Sequence, residues 1–384
     1  MNRLRLENLS AVVDGKHVAE CSLTITDGNI VGVNDGSTAV DDTLDCSGLT
    51  AIPGFIDVHI HGAVGVDVNT ADVDGLMEIA RFLATAGVTT WVPTLVPDSD
   101  ENYRRAIAAI DDLMERQADQ PIAQAVGVHF EGVFASEKMC GALRPEFFKT
   151  FAGTELADLP RLKSGVHMTT FAPEVEGGVE LARELTRKGW IASIGHTRAD
   201  LVTLQHAFDA GARHVTHFFN AMTGLHHRDV GVVGWALANP EVTFDIIADG
   251  IHVHPSMVDL ACHVKTPDKV SLISDSVAPT GLGEGEFEIW GEKVTVENRR
   301  TRNERGSIAG SVITMADAVR RMLSLGFSLE EVSRMASQNP AHLLGLDSTR
   351  GSIADGVRAD LVGIDSEGKV RLTVIGGAVA FDER

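Results

Sequence analysis

The chain has 384 residues, a length that fits one large domain with a smaller one better than three equal domains. Hydrophobic residues make up 44% and charged residues 23%, which predicts a folded, soluble globular protein and excludes extensive disorder. The net charge of −21 disfavours nucleic acid and anionic membrane surfaces as partners, because both would be repelled. An anionic substrate would therefore need a local group of positive side chains.

The N-terminus and the cysteines indicate the compartment. The start, Met-Asn-Arg-Leu-Arg-Leu, lacks the apolar core of a signal peptide, and no stretch reaches the roughly 18 apolar residues of a membrane helix. The four cysteines are far apart and form no Cys-x-x-Cys motif, so neither a disulfide framework nor a zinc ribbon is expected. These features predict a cytoplasmic protein with reduced thiols.

The two ends of the chain share one pattern. Residues 1–50 contain short bursts of alternating apolar and polar residues, with turn signals at Asp14-Gly15 and Asp27-Gly28, which predict a small antiparallel sheet. Residues 346–384 repeat this pattern. Because neither end carries enough apolar surface to fold alone, we expect both to form one composite β-sandwich domain.

Between the two ends, apolar strands alternate with amphipathic helices. Strands are predicted at 53–59, 88–95, 125–131, 165–171, 190–195, 213–218, 243–248 and 270–275. Helices are predicted at about 72–86, 101–117, 178–188, 199–210, 255–264, 314–325 and 329–345. Eight strands with helical crossovers predict an α/β fold, a (β/α)8 barrel of the TIM type over residues 51–345, with an open βαβ sheet as the alternative. A β-hairpin inserted near residues 286–305 is expected above the site.

Strand after strand ends in a side chain that can bind a metal or transfer a proton. These residues are His59, His61, Glu131, His196, His217 and Asp275. The carboxyl ends of barrel strands meet at one mouth, so we expect the six groups to lie together. Since no cysteine completes a tetrahedron, the set predicts a hydrolytic metal centre rather than a structural one. The alternative, a hydrogen-bonded core histidine, is our interpretation of His129, His167, His206 and His214.

The two carboxylates have separate predicted roles. Glu131 precedes Gly132, which permits close approach, so we interpret it as a bridging ligand rather than a salt-bridge partner. Asp275 is the predicted proton shuttle, because a carboxylate beside divalent cations stays ionised and can take a proton from an attacking water. It would then pass that proton to a leaving amine. Together these roles predict metal-assisted hydrolysis of an amide or a related bond.

A further group of residues suits an anion. Exposed backbone N–H groups of Phe218-Phe219-Asn220-Ala221-Met222 and the Asn220 amide can bind anionic oxygens, and Arg228 offers a fork for phosphate. His252 follows another strand. In an acidic protein this group predicts a phosphorylated or carboxylated small substrate. An ordinary surface loop is the alternative for the remaining histidines of this region, His226, His227 and His254.

Motifs in order along nearly the whole chain resemble those of the N-acetylglucosamine-6-phosphate deacetylases of the amidohydrolase superfamily. The matching segments are 53–62, 131–132, 195–197, 216–222, 226–228, 248–255, 274–275, 343–346 and 351–353. Asn220-Ala221-Met222 and the motif from Asp249 to His254 are specific to these deacetylases, whereas His-x-His and the final aspartate belong to the wider superfamily.

The resemblance implies hydrolysis of N-acetylglucosamine 6-phosphate to glucosamine 6-phosphate and acetate, a step of amino sugar catabolism and cell-wall recycling. It implies a metal at Glu131, His196 and His217, with Asp275 as catalytic acid and base. Some relatives lack the His-x-His pair and hold one metal. Because His59 and His61 are both present here, our hypothesis is a second ion beside them. We expect one or two divalent ions per subunit, zinc before iron, cobalt or manganese.

The resemblance also implies how the sugar phosphate is held. The implied contacts come from Ala142, Asn220, Ala221, His252, Ile308, Ala309 and Gly310. In the family, the arginine that matches Arg228 reaches the phosphate from a neighbouring subunit, which implies a homodimer with shared sites.

The sequence departs from the family pattern in one loop and one strand. Leu143 stands where relatives often carry a histidine that contacts the sugar, and Val133 stands where they carry a proline. Cys140, in the same loop as Leu143, is interpreted as a buried thiol. Because Leu143 cannot donate a hydrogen bond, the expected effect is on affinity for the acetylated sugar, or on selectivity between sugars, rather than on the deacetylation chemistry.

Two other functions compete with deacetylation of a sugar phosphate. The first is another amidohydrolase, such as a cyclic amidase or an N-acyl amino acid deacetylase. These enzymes often bridge their metals with a modified lysine on the fourth barrel strand. The corresponding residues here, 166–171, contain no lysine, which counts against this alternative. A non-catalytic barrel that binds sugar phosphate is expected to have lost ligands or the proton shuttle. This chain retains all of them, although the fold alone does not decide function.

Overall fold

Five strands at the N-terminus begin the smaller of two main sheets. The computed structural model describes residues 3–36 and 38–384, and these strands are β1 (Arg3–Val13), β2 (Lys16–Thr26), β3 (Asn29–Val33), β4 (Asp42–Asp45) and β5 (Thr50–Pro53). Asp14 and Gly15 join β1 to β2 with φ of 48° and 72°. Positive φ at both central residues matches the right-handed twist of the strands that such a turn connects.

Eight parallel strands form a closed barrel in the order β6, β9, β11, β12, β13, β14, β15, β16. The strands of this part of the chain are β6 (Phe55–Ile60), β7 (Gly62–Ala63), β8 (Val66–Asp67), β9 (Val88–Leu95), β10 (Gln124–Ala125), β11 (Gly127–Phe134), β12 (Val166–Phe171), β13 (Ile191–Ile194), β14 (His214–Val215), β15 (Thr243–Ile247) and β16 (Val270–Ile273). Nearly every residue of the barrel strands is buried, as expected where helices cover one face and the barrel interior the other.

Helices surround the barrel. They are α1 (Val73–Thr85), α2 (Asp100–Arg116), α3 (Glu155–Asp158), α4 (Gly178–Arg187), α5 (Leu201–Asp209), α6 (Gly231–Ala238), α7 (Pro255–Lys265), α8 (Met315–Ser324), α9 (Leu329–Ser333) and α10 (Asn339–Leu343). Asp72, Ser99 and Asp200 accept hydrogen bonds from the first turns of α1, α2 and α5. Such caps satisfy backbone donors that a helix start leaves free. Among the described helices, none has the length and apolar character needed to cross a membrane.

Closure of the barrel joins β6 to β16. The backbone N–H of Asp275 donates to the His59 carbonyl at 2.9 Å, and Ile60 forms a parallel bridge with Ser276. The buried Asp57 carboxylate accepts a hydrogen bond from the Ser274 hydroxyl at 2.5 Å. Closure therefore fixes two predicted site residues, His59 and Asp275, next to each other.

The insertion after β16 is larger than the predicted hairpin. It forms a three-stranded antiparallel sheet of β17 (Gly285–Ile289), β18 (Glu292–Glu297) and β19 (Arg300–Asn303). The chain ends in β20 (Leu361–Ile364), β21 (Val370–Ile375) and β22 (Ala378–Asp382). Because β20 pairs with β5, both ends of the chain share one sheet, which confirms the composite β domain. β5 extends past residue 50, and the domain limits at 50 and 346 stay a prediction.

Three elements differ from the sequence prediction. β14 is only two residues long, because the chain turns away at the predicted site residues. α6 was not predicted; its first six residues are all buried, so the sequence shows no polar face from which helical periodicity can be read. The predicted helix at 329–345 is helical without a break from Leu329 to Leu343, but its middle turn, Arg334–Gln338, is π-helical, and Pro340, just after that turn, has no N–H to donate.

Arg350 connects the composite domain to the barrel. Its guanidinium donates to the Thr90 hydroxyl on β9 at 2.9 Å and pairs with Asp360, whose side chain is 4% exposed. The other Asp360 oxygen accepts from Arg358 at 3.0 Å. We expect Arg350→Ala to lower the free energy of unfolding by about 1–3 kcal/mol, because it leaves a buried acceptor unpaired while Arg358 keeps part of the charge balanced.

Urea denaturation of metal-saturated protein measures this effect. Arg187→Ala is the matched control, since the Arg187 guanidinium is 67% exposed and its pair with Glu184 lies on the surface of α4. Exposed pairs of this kind contribute about 0–1 kcal/mol. An equal loss in both variants would contradict the role assigned to Arg350.

Candidate metal centre and active site

Three of the predicted site residues share one backbone feature. His196, His217 and Asp275 each lie two residues beyond the end of a barrel strand, with φ of 47°, 33° and 50°. The left-handed conformation costs a non-glycine residue on the order of 1–2 kcal/mol, and such strain concentrates at functional sites. Here the same turn occurs at β13, β14 and β16, and it brings the three side chains into the barrel mouth.

Glu131 reaches the same mouth from within a strand. The pairing of β11 with β12 shifts after Glu131, and Gly132 has φ of 74°. A Cβ atom on residue 132 would lie 2.3 Å from the Leu143 side chain. This position therefore requires glycine for two reasons, its positive φ and the lack of space for a side chain. The shift leaves the Glu131 carboxylate facing the barrel axis, where it is buried.

The six predicted ligands converge on two adjacent points. One group is His59, His61 and Asp275, and the other is Glu131, His196 and His217; within each group the ligand atoms lie within 4.8 Å of one another. All six side chains are buried. The six residues therefore lie together in the structure, as the sequence predicted, while their roles as ligands stay a prediction.

Glu131 lies between the two groups. Its Oε1 is 3.0 Å from His217 Nε2, 3.1 Å from His196 Nε2 and 3.4 Å from His59 Nε2. Its Oε2 is 3.3 Å from His61 Nε2. One carboxylate thus contacts four imidazoles, which is the arrangement expected of a bridging ligand.

Backbone carbonyls set the orientation of two imidazoles. His196 Nδ1 faces the Met139 carbonyl at 2.8 Å, and His61 Nδ1 faces the Thr94 carbonyl at 3.2 Å. A carbonyl only accepts, so each Nδ1 carries a proton, and each Nε2 would offer a lone pair to a metal once it is deprotonated. The Nδ1 atoms of the other two imidazoles, His59 and His217, are buried without a hydrogen-bond partner among the described residues.

A cavity of about 120 Å³ opens next to these groups. Of the residues predicted to hold the substrate, six line it: Ala142, Asn220, Ala221, His252, Ile308 and Gly310. Asp249 accepts hydrogen bonds from the His252 backbone N–H at 2.8 Å and from His252 Nδ1 at 2.7 Å, so the imidazole presents Nε2 to the cavity.

Two predicted substrate residues lie elsewhere. Arg228 is exposed on the loop after Ala221, with its guanidinium 2.6 Å from His227 Nε2, and it does not line the cavity of its own chain. Ala309 is buried beneath the insertion, and its N–H already donates to the Thr301 hydroxyl at 3.1 Å. Neither position reaches the cavity within the described chain, and both substrate contacts stay predictions.

Two residues of the insertion complete the site and were missed from the sequence. Trp290 lines the cavity, and Arg305 donates to the carbonyl of Ala142 at 2.8 Å. Both residues follow short strands in which apolar and polar residues alternate. This pattern does not indicate how far the insertion lies from the barrel mouth. Only the turn signal Trp290-Gly291 marked the tip that reaches the site.

A model of the amidohydrolase family matches residues 50–380. The chain belongs to the amidohydrolase family. It is 36% identical over 334 residues to the N-acetylglucosamine-6-phosphate deacetylase of Bacillus subtilis (strain 168), covering 86% of this chain and 84% of the relative.

Two further relatives are deacetylases of amino sugar phosphates. The chain is 35% identical over 333 residues to the N-acetylgalactosamine-6-phosphate deacetylase of Escherichia coli O157:H7, covering 85% of this chain and 87% of the relative. A Mycobacterium smegmatis N-acetylglucosamine-6-phosphate deacetylase mutant, solved in complex with N-acetylglucosamine 6-phosphate, superimposes with a TM-score of 0.88. It is 28% identical, and the match covers 99% of each chain.

The residues of the mouth fit the divalent metal on which amidohydrolases depend. His196 Nε2 lies 3.0 Å from His217 Nε2, and His59 Nε2 lies 3.1 Å from His61 Nε2. Two unprotonated Nε2 atoms at this distance would repel through their lone pairs, so each pair needs a positive charge beside it, either a proton or a metal ion. Imidazole nitrogens and carboxylate oxygens are also the ligands that zinc and similar ions take in catalytic sites.

The two carboxylates make the centre attract positive charge. Burial lowers the pKa of His61, but hydrogen bonds and attraction from Asp275 and Glu131 outweigh burial and raise it to about 10. Burial likewise lowers the pKa of His217, but Glu131, with help from Asp275, raises it to about 9. Without a metal, both imidazoles therefore carry a second proton and a positive charge at neutral pH.

Zinc binding to the metal-free protein is expected to release protons at pH 7, because His61 and His217 must lose theirs to act as ligands. The affinity for zinc should accordingly weaken as the pH is lowered from about 9, since protons compete more strongly with the ion. Calorimetric titration in two buffers of different ionisation enthalpy counts the protons. His61→Gln should release fewer, and zinc binding without proton release in the unsubstituted protein would contradict the assignment.

Proposed function

We propose that this amidohydrolase removes the acetyl group of N-acetylglucosamine 6-phosphate, producing glucosamine 6-phosphate and acetate with the help of a divalent metal. The observation that carries the proposal is Glu131, whose carboxylate contacts four imidazoles beside Asp275 in a cavity that Asn220 and His252 also line. Relatives named for this deacetylation, at about one-third identity over most of the chain, support it.

Two divalent ions would suit the six ligands. Glu131, His196 and His217 would hold one, and His59, His61 and Asp275 would hold the other, with Glu131 near both. Four imidazoles and two carboxylates favour zinc, although iron, cobalt and manganese accept the same ligands. When bound there, the metal supplies Lewis acidity to the acetamide carbonyl and to the attacking water.

Asp275 transfers the proton. Its Oδ1 lies 3.3 Å from His61 Nε2 and 3.5 Å from His59 Nε2. Burial alone would raise its pKa, but the hydrogen bond from His61 and the charges of His59 and His61 hold the pKa of Asp275 below its usual value. The carboxylate is therefore ionised and can accept a proton from the attacking water. As the C–N bond breaks, that proton passes to the amine nitrogen, and acetate is released.

Asn220 and His252 orient the sugar. The Asn220 side-chain NH2 donates to the carbonyls of His217 and Phe218 at 3.2 Å and 3.4 Å, so its amide oxygen is left for the substrate. An acceptor suits a sugar hydroxyl or an amide N–H better than a phosphate oxygen. His252, held by Asp249, offers Nε2 to a second hydroxyl. We therefore assign these two residues to the sugar and the acetamide group rather than to the phosphate.

A second candidate substrate is N-acetylgalactosamine 6-phosphate, which differs from the first in the orientation of one hydroxyl. The E. coli relative named for this sugar is nearly as similar to the chain as the B. subtilis relative. Leu143, which lines the cavity, offers no hydrogen bond with which to distinguish the two sugars. The cyclic amidases remain less favoured, since β12 carries no lysine to bridge metals.

We also propose that the protein is a cytoplasmic homodimer in which Arg228 binds the phosphate held in the neighbouring subunit. Among the described residues that line the cavity there is no arginine or lysine, yet the substrate carries a phosphate. Arg228 lies on an exposed loop beside Leu225, which is 59% exposed. An exposed apolar side chain next to an exposed cation suits a contact with a second copy of the chain.

Acetate release from N-acetylglucosamine 6-phosphate tests the function, with N-acetylgalactosamine 6-phosphate, unphosphorylated N-acetylglucosamine and dihydroorotate as comparisons. We expect rapid, chelator-sensitive release from a phosphorylated amino sugar alone. Asp275→Asn should keep most of its metal but lose turnover by roughly 10²- to 10⁴-fold, because the proton transfer loses its carboxylate.

Elemental analysis of the same preparations separates loss of metal from loss of proton transfer. Asp259→Asn is the matched control, since Asp259 lies on α7 with its side chain 52% exposed. Near-normal turnover of the Asp275 variant would remove this residue from the mechanism. Metal-loaded protein that releases no acetate from either phosphorylated sugar would refute the deacetylase function.

Arg228→Ala is expected to raise KM for the phosphorylated sugar strongly while changing KM for the unphosphorylated analogue little, because only the former carries the group that the guanidinium binds. An equal effect on both substrates would contradict the phosphate assignment.

A mixture of two inactive variants tests whether the arginine acts across the dimer. When Arg228→Ala and Asp275→Asn subunits are refolded together, each mixed dimer contains one site with both groups intact. Recovery of activity in the mixture supports sharing between subunits. No recovery, despite mixed dimers shown by differential tagging, would place Arg228 in its own subunit's site.

A further inference from the structure

The tip of the insertion forms an apolar side of the reaction cavity. Trp290 lies in the turn between β17 and β18, where Trp290 and Gly291 have φ of 53° and 77°. Its ring stands edge to face against His61, with 5.2 Å between ring centroids. Trp290 also packs against a small apolar cluster of which Leu143 is a member. The cavity is therefore apolar along Trp290 and Leu143 and polar along Asn220 and His252.

The insertion is held in this position by polar contacts. Arg305, just beyond β19, donates to the carbonyls of Ala142 at 2.8 Å and Leu143 at 3.3 Å, and its guanidinium pairs with Glu292 at 2.9 Å. These contacts bind the insertion to the loop that carries Leu143. Trp290 and Leu143 are thus kept together as two parts of one wall.

The indole nitrogen of Trp290 does not face a substrate partner. It is buried and makes no hydrogen bond of normal geometry within the described chain, although it lies close enough to Asp67 to stabilise that carboxylate. One carboxylate oxygen of Asp67 is also buried without a partner. The N–H therefore faces the protein, and the hydrocarbon part of the ring is left for the cavity.

The size of the cavity indicates what this wall contacts. A volume of about 120 Å³ is well below the roughly 300–1,000 Å³ that pockets for whole ligands occupy. It suits the reacting end of the substrate, the acetamide group. This group has one apolar part, its methyl, and its carbonyl must reach the predicted metal ligands, which include His61, the histidine that Trp290 touches. The methyl is therefore directed to the apolar side.

We propose that Trp290, together with Leu143, forms the wall against the acyl methyl group and limits the enzyme to short acyl chains. This assignment rests on the proposed deacetylase function. It adds that the length of the acyl chain determines which substrates are hydrolysed. A longer acyl chain would meet the indole ring or Leu143 before its carbonyl reached the metal ligands. Trp290 is thus a specificity-determining residue supplied by the insertion rather than by the barrel.

Hydrolysis of N-acetyl-, N-propionyl- and N-butyryl-glucosamine 6-phosphate by metal-loaded enzyme tests the proposal, with kcat/KM obtained from release of the free amine. One added methylene in an apolar pocket changes kcat/KM by roughly 10- to 200-fold. We expect the unsubstituted enzyme to prefer acetyl by a factor of this order. Trp290→Ala should raise the propionyl-to-acetyl ratio at least about tenfold. Leu143→Ala should shift the ratio in the same direction, and Trp290→Phe, which keeps a ring but not the N–H, should retain the acetyl preference.

The ratio is taken on one preparation, so a partly unfolded variant does not change it. A Trp290→Ala enzyme whose kcat/KM falls equally for all three substrates would overturn the proposal, since the ring would then only support the fold. An unsubstituted enzyme that hydrolyses the three acyl groups at similar rates would overturn it as well. If the unsubstituted, metal-loaded enzyme acts on none of them, the deacetylase function itself fails, and the acyl wall fails with it.

Discussion

The Glu131 carboxylate, buried among four imidazoles, is the contact on which the rest of the site depends. A buried carboxylate costs several kcal/mol unless partners surround it. Here the partners come from β6 and from the ends of β13 and β14, so the carboxylate is tolerated only when these three parts of the barrel are in register. A shift of one residue in β11 would turn Glu131 to the opposite face and leave the histidines without their counter-charge.

The barrel holds strained backbone where the chemistry needs it. His196, His217 and Asp275 take left-handed conformations, and each is held by contacts behind it. Asp245 accepts from the His217 backbone N–H, and Asp57 binds Ser274 beside Asp275. Burial raises the pKa of Asp57 to about 6, although its hydrogen bonds from Ser274 and from the His59 backbone act in the opposite direction. At His217 and Asp275 the strain is thus supported by two buried carboxylates, Asp245 and Asp57, that do not line the cavity.

The sequence predicted the barrel and the six converging groups because both follow from one rule. Apolar strands of a (β/α)8 barrel end at one mouth, and His61 and Asp275 follow such ends, while Glu131 lies within β11 just before its pairing with β12 shifts. Trp290 and Arg305 were missed because they belong to an insertion whose place in space depends on long-range packing. The orientation of the Asn220 amide was also out of reach, since it depends on two carbonyls that only the folded loop brings together.

The distribution of charge explains why the described residues that line the cavity include no arginine or lysine to bind a phosphate. Glu131 and Asp275 create a field that favours cations at the centre, and a fixed guanidinium nearby would compete with a divalent metal. At 4 Å, two unit charges interact by about 4 kcal/mol at the effective dielectric constant near a protein surface. An arginine beside the ligands would therefore weaken metal binding considerably. A cation on an exposed loop, such as that of Arg228, avoids this penalty, which is consistent with the proposal that Arg228 binds the phosphate.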